Sequence, residues 1–253
     1  MGKILDQYVS RKVLGRWRKA AQSAPFTALH LLRRQRDEAR QFRLHLERLI
    51  QVADGRLTRP LIGSTSFPKP LGTDWAWRPD LWRGPLAKHG HASLSRKTSM
   101  DKQVTLFHDC DLGEIAIRQT RNTADKDLAP FSLALEIFEF TGSFLSLSIE
   151  LPAEATFGLT RQHLIRASAQ IECERPTGMF ARLNIQHGPN TEQVLRELSY
   201  SDSSMSVDFD LAHLHLNERR VEKIWLDLII NDPRMNRIVL RDLTLCRHHR
   251  ADL

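Results

Sequence analysis

The period of the hydrophobic pattern changes at about residue 103. Before that point apolar residues recur every three to five positions, which is the spacing of one helical face, whereas afterwards they alternate with polar residues as in half-buried strands. A stretch rich in proline and tryptophan separates the two regions. The pattern therefore predicts a helical arm (residues 1–56), a connector (residues 57–102) and a β-sandwich domain (residues 103–250).

Two amphipathic helices are predicted in the arm. The apolar stripe of the first runs from Ile4 to Ala21, and the second is expected to begin at Pro25 and to stop at Gly55. The second helix has a heptad seam that comprises Ala28, Leu32, Gln35, Ala39, Phe42, Leu46, Leu49 and Ala53. Gln35 is the single polar residue of this seam. The arm is therefore either an α-helical hairpin or a self-associating coiled coil.

The connector is expected to be irregular. Five prolines and three glycines between residues 57 and 86 exclude a long helix or a central strand there. Trp75, Trp77 and Trp82 lie within eight residues, and tryptophan is seldom left exposed, which favours packing of this segment onto the sandwich. The alternative is an exposed aromatic platform for sugar rings or bases. Residues 87–102 are expected to form a polar loop.

About ten strands are predicted after residue 103, without helical crossovers, which indicates a mostly β, antiparallel sandwich. Residues 104–107 and 114–119 are expected to pair with each other, and residues 131–140 and 144–151 to form a hairpin. The other predicted strands are residues 169–174, 179–187, 195–200, 206–211, 222–231 and 237–247.

The composition favours a soluble protein of a reducing compartment. Apolar residues make up 41% and charged residues 26% of the chain, which is ordinary for a globular protein. The three cysteines are odd in number and form no CxxC pair. Neither a secretory signal nor an apolar run of about 18–20 residues is present. We therefore expect a cytoplasmic protein, either free or peripheral to the inner membrane.

The positive charge of the chain is concentrated in the arm. Residues 1–59 contain 14 Lys and Arg against 5 Asp and Glu, whereas the remaining 194 residues contain 23 against 25. Such an arm suits an anionic membrane surface, a protein partner or self-association through residues 1–56. Binding of nucleic acid through the arginines is less favoured, because the chain contains no sequence-reading module.

Neither catalysis nor a cofactor is predicted. The sequence contains no nucleophile elbow, Walker loop, dinucleotide fingerprint or HExxH motif. His108, Asp109, Cys110 and Asp111 are the tightest set of metal-ligand types, but neighbouring residues on a strand point to opposite faces, so that at most two could reach one ion. We therefore predict no catalytic residue, no metal site and no cofactor, and a protein that is not an enzyme.

One face of the predicted sandwich has the character of a binding surface. Alternation places Arg182, Asn184 and Gln186 on the outer side of one strand, with His187 in the loop that follows. On another strand it places Trp225 outward beside Lys223 and Asp227. A tryptophan among amide, carboxylate and guanidinium groups is typical of sugar recognition. The predicted ligand-binding residues are Arg182, Asn184, Gln186, His187, Trp225 and Asp227.

The second half of the domain resembles galactose-binding-like jelly rolls, which occur in many carbohydrate-binding modules. The resemblance covers residues 159–245 and includes a polar entry (LTRQHL), the strands VDFDL and VEKIWLDL, and a last strand IVLRDLTL. It implies a jelly-roll-like sandwich whose partner is a glycan or a protein. The main hypothesis is therefore a non-catalytic binding module, and the alternative is an assembly or adaptor protein that docks through its arm.

The whole chain also resembles an uncharacterised family of unknown function from alphaproteobacteria of the Rhodobacter type. The segments that carry this resemblance are residues 74–86, TLFHDC at 105–110, GSFLSL at 142–147 and HGPNTEQ at 187–193. The family has no assigned activity, so the resemblance implies only a fold and a bacterial source.

Overall fold

A computed structural model describes residues 2–58, 66–111, 113–124, 127–198 and 204–250. The chain divides into two compact units, Met1–Ala53 and Asp54–Leu253. Helices form the first unit and strands dominate the second, as the change of period predicts. No helix in these described ranges combines the length and apolar character that a membrane span requires.

The first unit is a helical hairpin formed by α1 (Gly2–Ser23) and the greater part of α2 (Leu29–Thr58). A short 3-10 helix (Ala24–Phe26) contains the proline that we expected to open the second helix, so α2 begins later than predicted. It also continues past Gly55, since an interior glycine costs a helix only about 1 kcal/mol.

Side chains of the two helices contact each other near their joined ends. Arg16 of α1 donates to Glu38 of α2 at 3.2 Å, and the rings of Trp17 and Phe42 meet edge to face with centroids 5.7 Å apart. None of the side chains described in this unit is buried, however. The hairpin therefore leaves much of its apolar stripe exposed.

The second unit contains thirteen strands among its described residues, together with the short helix α3 (Asp80–Arg83). The strands are β1 (Thr73–Trp77), β2 (Gly90–Ala92), β3 (Lys97–Ser99), β4 (Val104–His108), β5 (Ile115–Arg121), β6 (Phe131–Ile137), β7 (Leu145–Glu150), β8 (His163–Cys173), β9 (Met179–His187), β10 (Asn190–Leu198), β11 (Ser204–Asp210), β12 (Val221–Ile230) and β13 (Asn236–His249).

Two antiparallel sheets pack face to face, which confirms the predicted sandwich. The back sheet has the order β11-β8-β13-β6-β5-β2, and β1 pairs with the C-terminal half of β13 beside β6. The front sheet has the order β10-β9-β12-β7-β4-β3. Their inner faces supply one hydrophobic core, to which Leu133 and Leu243 of the back sheet and Leu147 and Leu226 of the front sheet belong.

Both predicted strand pairs are wrong. β4 and β7 lie in the front sheet, where they pair with each other, while β5 and β6 pair with each other in the back sheet. The chain crosses from one sheet to the other after β4 and again after β6. Alternation shows which side chains face the core, but a strand in either sheet has the same alternation, so the pattern does not assign the partner.

The predicted connector contributes elements to the sandwich. β1 and β2 extend the back sheet, and β3, within the predicted polar loop, is the edge strand of the front sheet. Trp82 on α3 is fully buried, and its Nε1 donates to the carbonyl oxygen of Leu240 at 3.0 Å. Trp75 and Trp77 are half-buried and pack against the core. The tryptophan segment is therefore packed onto the sandwich.

Candidate functional site

The outer face of the front sheet brings together five of the six predicted binding residues. On β9, Arg182, Asn184 and Gln186 alternate with core residues, and on β12, Trp225 and Asp227 do the same. The antiparallel register places Trp225 opposite Asn184 and Asp227 opposite Arg182. The five side chains therefore lie on two neighbouring strands of one sheet.

His187 does not join this group. It is the last residue of β9 and shares the inward direction of Leu183 and Ile185, because side chains along a strand alternate between the two faces. It is buried, and its Nδ1 accepts a hydrogen bond from the backbone N–H of Asn217 at 3.3 Å. The sequence prediction groups it with the loop after the predicted strand, whereas it is the last residue of β9 and its side chain is turned away from the binding face.

Three of the five residues form a polar cluster on this face. Asp227 is only 5% exposed, and its Oδ2 accepts from Nη2 of Arg182 and from Nδ2 of Asn184, each at 2.9 Å. Asn184 is fully buried, and its Nδ2 also lies 3.4 Å from the carbonyl oxygen of Trp225. Asn184 and Asp227 therefore hold β9 and β12 together beneath the surface, whereas Arg182 is half-exposed.

Trp225 and Gln186 line an open groove of about 320 Å³. The groove runs across the front sheet from β9 to β3, and Phe107 of β4 is its second aromatic residue. Thr105 and Ser148, which face each other across the β4–β7 ladder, add two hydroxyl groups. The arrangement offers aromatic surface together with neutral hydrogen-bonding groups in one open channel.

Sequence reasoning missed the part of the groove that lies on β3, β4 and β7. The signal was present, because Thr105 and Phe107 alternate with the core residues Val104 and Leu106. The sequence did not show that β7 is the neighbour of β12, which brings these residues beside Trp225. Tertiary pairing therefore determines the full extent of the groove.

Charged side chains lie close to both aromatic rings. Nζ of Lys223 lies 2.8 Å from Oε2 of Glu150 and 5.9 Å from the centre of the Trp225 ring. Nζ of Lys97 lies 5.6 Å from the centre of the Phe107 ring. An ammonium group at this distance from an aromatic face is attracted by the electrons of the ring, so both lysines are held at the groove.

A separate cluster has the residue types of a metal site. Potential ligand atoms of Asp74, His163 and His249 lie within 4.8 Å of one another. The Asp74 carboxylate already accepts three hydrogen bonds from the guanidinium of Arg247, at 2.8 to 3.1 Å, and Nδ1 of His163 accepts the N–H of Thr160 at 3.0 Å. These contacts explain the cluster as a network that ties β1 to the end of β13.

Electrostatics within this network agree with that structural role. Although partial burial opposes ionisation, the hydrogen bonds and charge of Arg247 hold the pKa of Asp74 below its ordinary value. Burial lowers the pKa of His163 in spite of the nearby Asp74 carboxylate. The network therefore contains one ionised pair, Asp74 with Arg247, beside a histidine whose neutral form is favoured.

Similar solved structures include carbohydrate-binding proteins, at low similarity. The C-terminal family 22 carbohydrate-binding module of Clostridium thermocellum Xyn10B is 11% identical, with a TM-score of 0.39 over 74% of this chain and 99% of that one. The family 11 carbohydrate-binding module from Clostridium thermocellum is 8% identical, with a TM-score of 0.38 over 63% of this chain and 96% of that one.

The enzymatically active domain of bacteriophage CBA120 tailspike protein 4 is 5% identical, with a TM-score of 0.40 over 56% of this chain. The match spans only 19% of that chain, and a match to a xylanase 10B fragment of Clostridium thermocellum spans 27% of its chain. The three TM-scores are all below 0.5.

No curated protein matches the chain in sequence. The family model is informative over the full length, because it matches residues 1–253. The match to this family model agrees with the resemblance to a family without an assigned activity. The alphaproteobacterial source stays a prediction. The chain belongs to DUF6478, a family of unknown function.

Proposed function

We propose that the groove on the outer face of the front sheet binds a glycan and that the domain is a non-catalytic binding module. The observation that carries this proposal is the position of Trp225 in an open groove lined by polar side chains. The C–H face of a sugar ring stacks on an aromatic surface, while its hydroxyl groups need partners that both donate and accept. Gln186, Thr105 and Ser148 are such partners.

The internal cluster supports the same proposal, because it fixes the strand that carries the platform. Asp227 and Asn184 join β12 to β9 immediately beside Trp225. A platform on a rigid strand loses little conformational freedom when a ligand binds. We assign Trp225 and Gln186 to direct contact with the glycan, Arg182 to the margin of the site, and Asn184 and Asp227 to support of the platform.

Replacing Trp225 with alanine is expected to lower glycan affinity about 30-fold or more, because removal of a central aromatic anchor costs about 2 kcal/mol or more in binding. A glycan array of the full chain would identify a bound polysaccharide, and isothermal titration calorimetry would compare the variants. Phe157→Ala is the matched control, since Phe157 is exposed and does not line the groove. Wild-type affinity in Trp225→Ala, or an array on which the wild type retains no glycan, would contradict the proposal.

We propose as a second candidate function that the arm, residues 1–56, docks on an anionic membrane surface. The specific observation is that Leu14, Leu46 and Leu49 are more than half exposed in an arm that contains 13 Lys and Arg against 5 Asp and Glu, an excess of eight positive charges. Two copies of such an arm repel each other electrostatically, whereas an anionic membrane attracts the charges and accepts the apolar side chains. Charge complementarity therefore favours the membrane over self-association.

The full chain is expected to co-sediment with vesicles of phosphatidylcholine and phosphatidylserine at low salt, and to remain in solution with phosphatidylcholine alone. Each basic residue near such a surface contributes about 1 kcal/mol, and salt screens this attraction. Leu49→Gln should weaken the binding, whereas Leu71→Gln, a control at a fully exposed leucine of the second unit, should not. Lack of binding at low salt, or dimerisation without binding, would refute membrane docking.

A further inference from the structure

The charge of the groove differs in sign from that of the domain around it. Residues 60–253 contain 23 Lys and Arg against 25 Asp and Glu, so this part of the chain is slightly acidic. The groove is nevertheless lined by Lys97, Lys102 and Lys223 and by one carboxylate, that of Glu150. The local excess of positive charge is therefore a property of this surface and does not follow from composition.

Two of the three lysines form no ion pair with any residue that the structure describes. Lys223 forms an ion pair with Glu150 at 2.8 Å. Lys97 and Lys102 are exposed, and within the described part of the chain neither forms an ion pair. The groove therefore offers two ammonium groups on the side of β3 and the loop before β4, opposite the strand that carries Trp225.

The aromatic rings bring a bound sugar close to these charges. Lys97 is the cross-strand partner of Phe107 and holds its Nζ 5.6 Å from the centre of that ring. A sugar stacked on Phe107 or spanning the groove from Trp225 would place its ring substituents beside Lys97. We infer that the ligand of the groove is an acidic polysaccharide, whose sugar units carry a carboxylate or a sulfate group; this inference rests on the proposed function.

The anion-binding groups of the groove are lysines and not arginines, and this affects which anionic groups the groove accepts. An ammonium group acts as a point charge, whereas the planar fork of arginine selects the geometry of the anion. Arg182, which lies on this face on the strand next to Trp225, already donates to Asp227. The site is therefore built to distinguish acidic from neutral glycans and to tolerate either anionic group.

Polysaccharides that differ only in charge would test this inference. The full chain is titrated with polygalacturonate and with its neutral methyl ester, and in parallel with dextran sulfate and dextran. Relative to Trp225→Ala, which retains the basic arm, we expect the wild type to gain about tenfold more affinity for at least one acidic member than for its neutral counterpart. Lys97→Met/Lys102→Met should lose that Trp225-dependent preference. Lys88→Met, at an exposed lysine outside the groove, should behave as the wild type.

The basic arm is an independent source of attraction for polyanions, and Trp225→Ala corrects for it. Binding to acidic polymers that persists in Trp225→Ala comes from charge alone, on the arm or on the lysines of the groove, and the difference from the wild type measures binding that needs the aromatic platform. A Trp225-dependent affinity that is equal for both members of each pair would overturn the acidic specificity and leave glycan binding intact. A lack of any Trp225-dependent binding would overturn both. An acidic preference that survives in Lys97→Met/Lys102→Met and is lost when Trp225→Ala is added would refute the assignment of the two lysines.

Discussion

Replacing Arg78 with methionine is expected to destabilise the sandwich by about 3–5 kcal/mol, because it leaves a buried carboxylate without its counter-charge. Arg78 is 2% exposed, and its Nε and Nη2 donate to the two carboxylate oxygens of Asp242 at 2.8 and 2.7 Å. The pair joins the residue after β1 to the middle of β13. Chemical denaturation of the full chain measures the loss, which is a large part of the 5–15 kcal/mol typical of a folded domain.

The destabilisation caused by Arg78→Met should depend on pH. Burial raises the pKa of Asp242, and the guanidinium of Arg78 opposes that rise. Without Arg78 the pKa of Asp242 in the folded protein rises further above its value in the unfolded chain. Protonation of Asp242 therefore favours the folded state of the variant. The difference in the free energy of unfolding between Arg78→Met and the wild type is therefore expected to be smaller at mildly acidic pH and to grow as pH increases.

The double variant Arg78→Met/Asp242→Leu provides the control. When both partners of a buried ion pair become apolar, no unpaired charge remains, and most of the stability lost in the single variant should return. A double variant as unstable as Arg78→Met would show that packing or other hydrogen bonds of the two residues, and not the unpaired charge, cause the loss.

Replacing Trp82 with alanine is expected to lower the free energy of unfolding by about 3–5 kcal/mol, as for other buried aromatic residues. Trp82 lies on α3, which packs against β6 and β13, and its indole is fully buried with a hydrogen bond to Leu240. Truncation therefore leaves a cavity and removes the donor. Thermal and chemical denaturation would measure the loss of stability.

Trp82→Phe separates the two contributions, because it retains much of the ring volume and removes only the indole N–H. A lost buried hydrogen bond costs about 1–3 kcal/mol, so this variant should lie between the wild type and Trp82→Ala. A stable Trp82→Ala protein that has lost glycan binding would contradict the packed role and restore the alternative of an aromatic platform on this segment.

The contrast between Trp82 and Trp225 illustrates how far the sequence leads. Trp225 lies in a strand of alternating pattern, two positions from Lys223 and from Asp227, so that its side chain is predicted to share their outward direction. In the structure it does point outward. Trp82 lies in an irregular segment without a period, and both a packed and an exposed position were consistent with the sequence. Its burial depends on contacts with β6 and β13, more than 45 residues away along the chain.

The sequence by itself determined the features that depend on local periodicity. These are the helical arm with its seam, the β-sandwich class, and the outward direction of Arg182, Gln186 and Trp225. The positive charge of the arm follows directly from its composition. Helical and strand periods arise from backbone geometry within a few residues, so they can be read along the chain without knowledge of its folding.

Only the tertiary structure decided which strands are neighbours. It paired β7 with β12 and β4, and so added Thr105, Phe107 and the lysine-bearing edge to the groove. It also directed His187 into the interior and buried Asn184 beneath the face on which the sequence had placed it. Strand pairing is a contact between residues distant in sequence, and an alternating pattern is the same in either sheet, so these features depend on the packing of the whole sandwich.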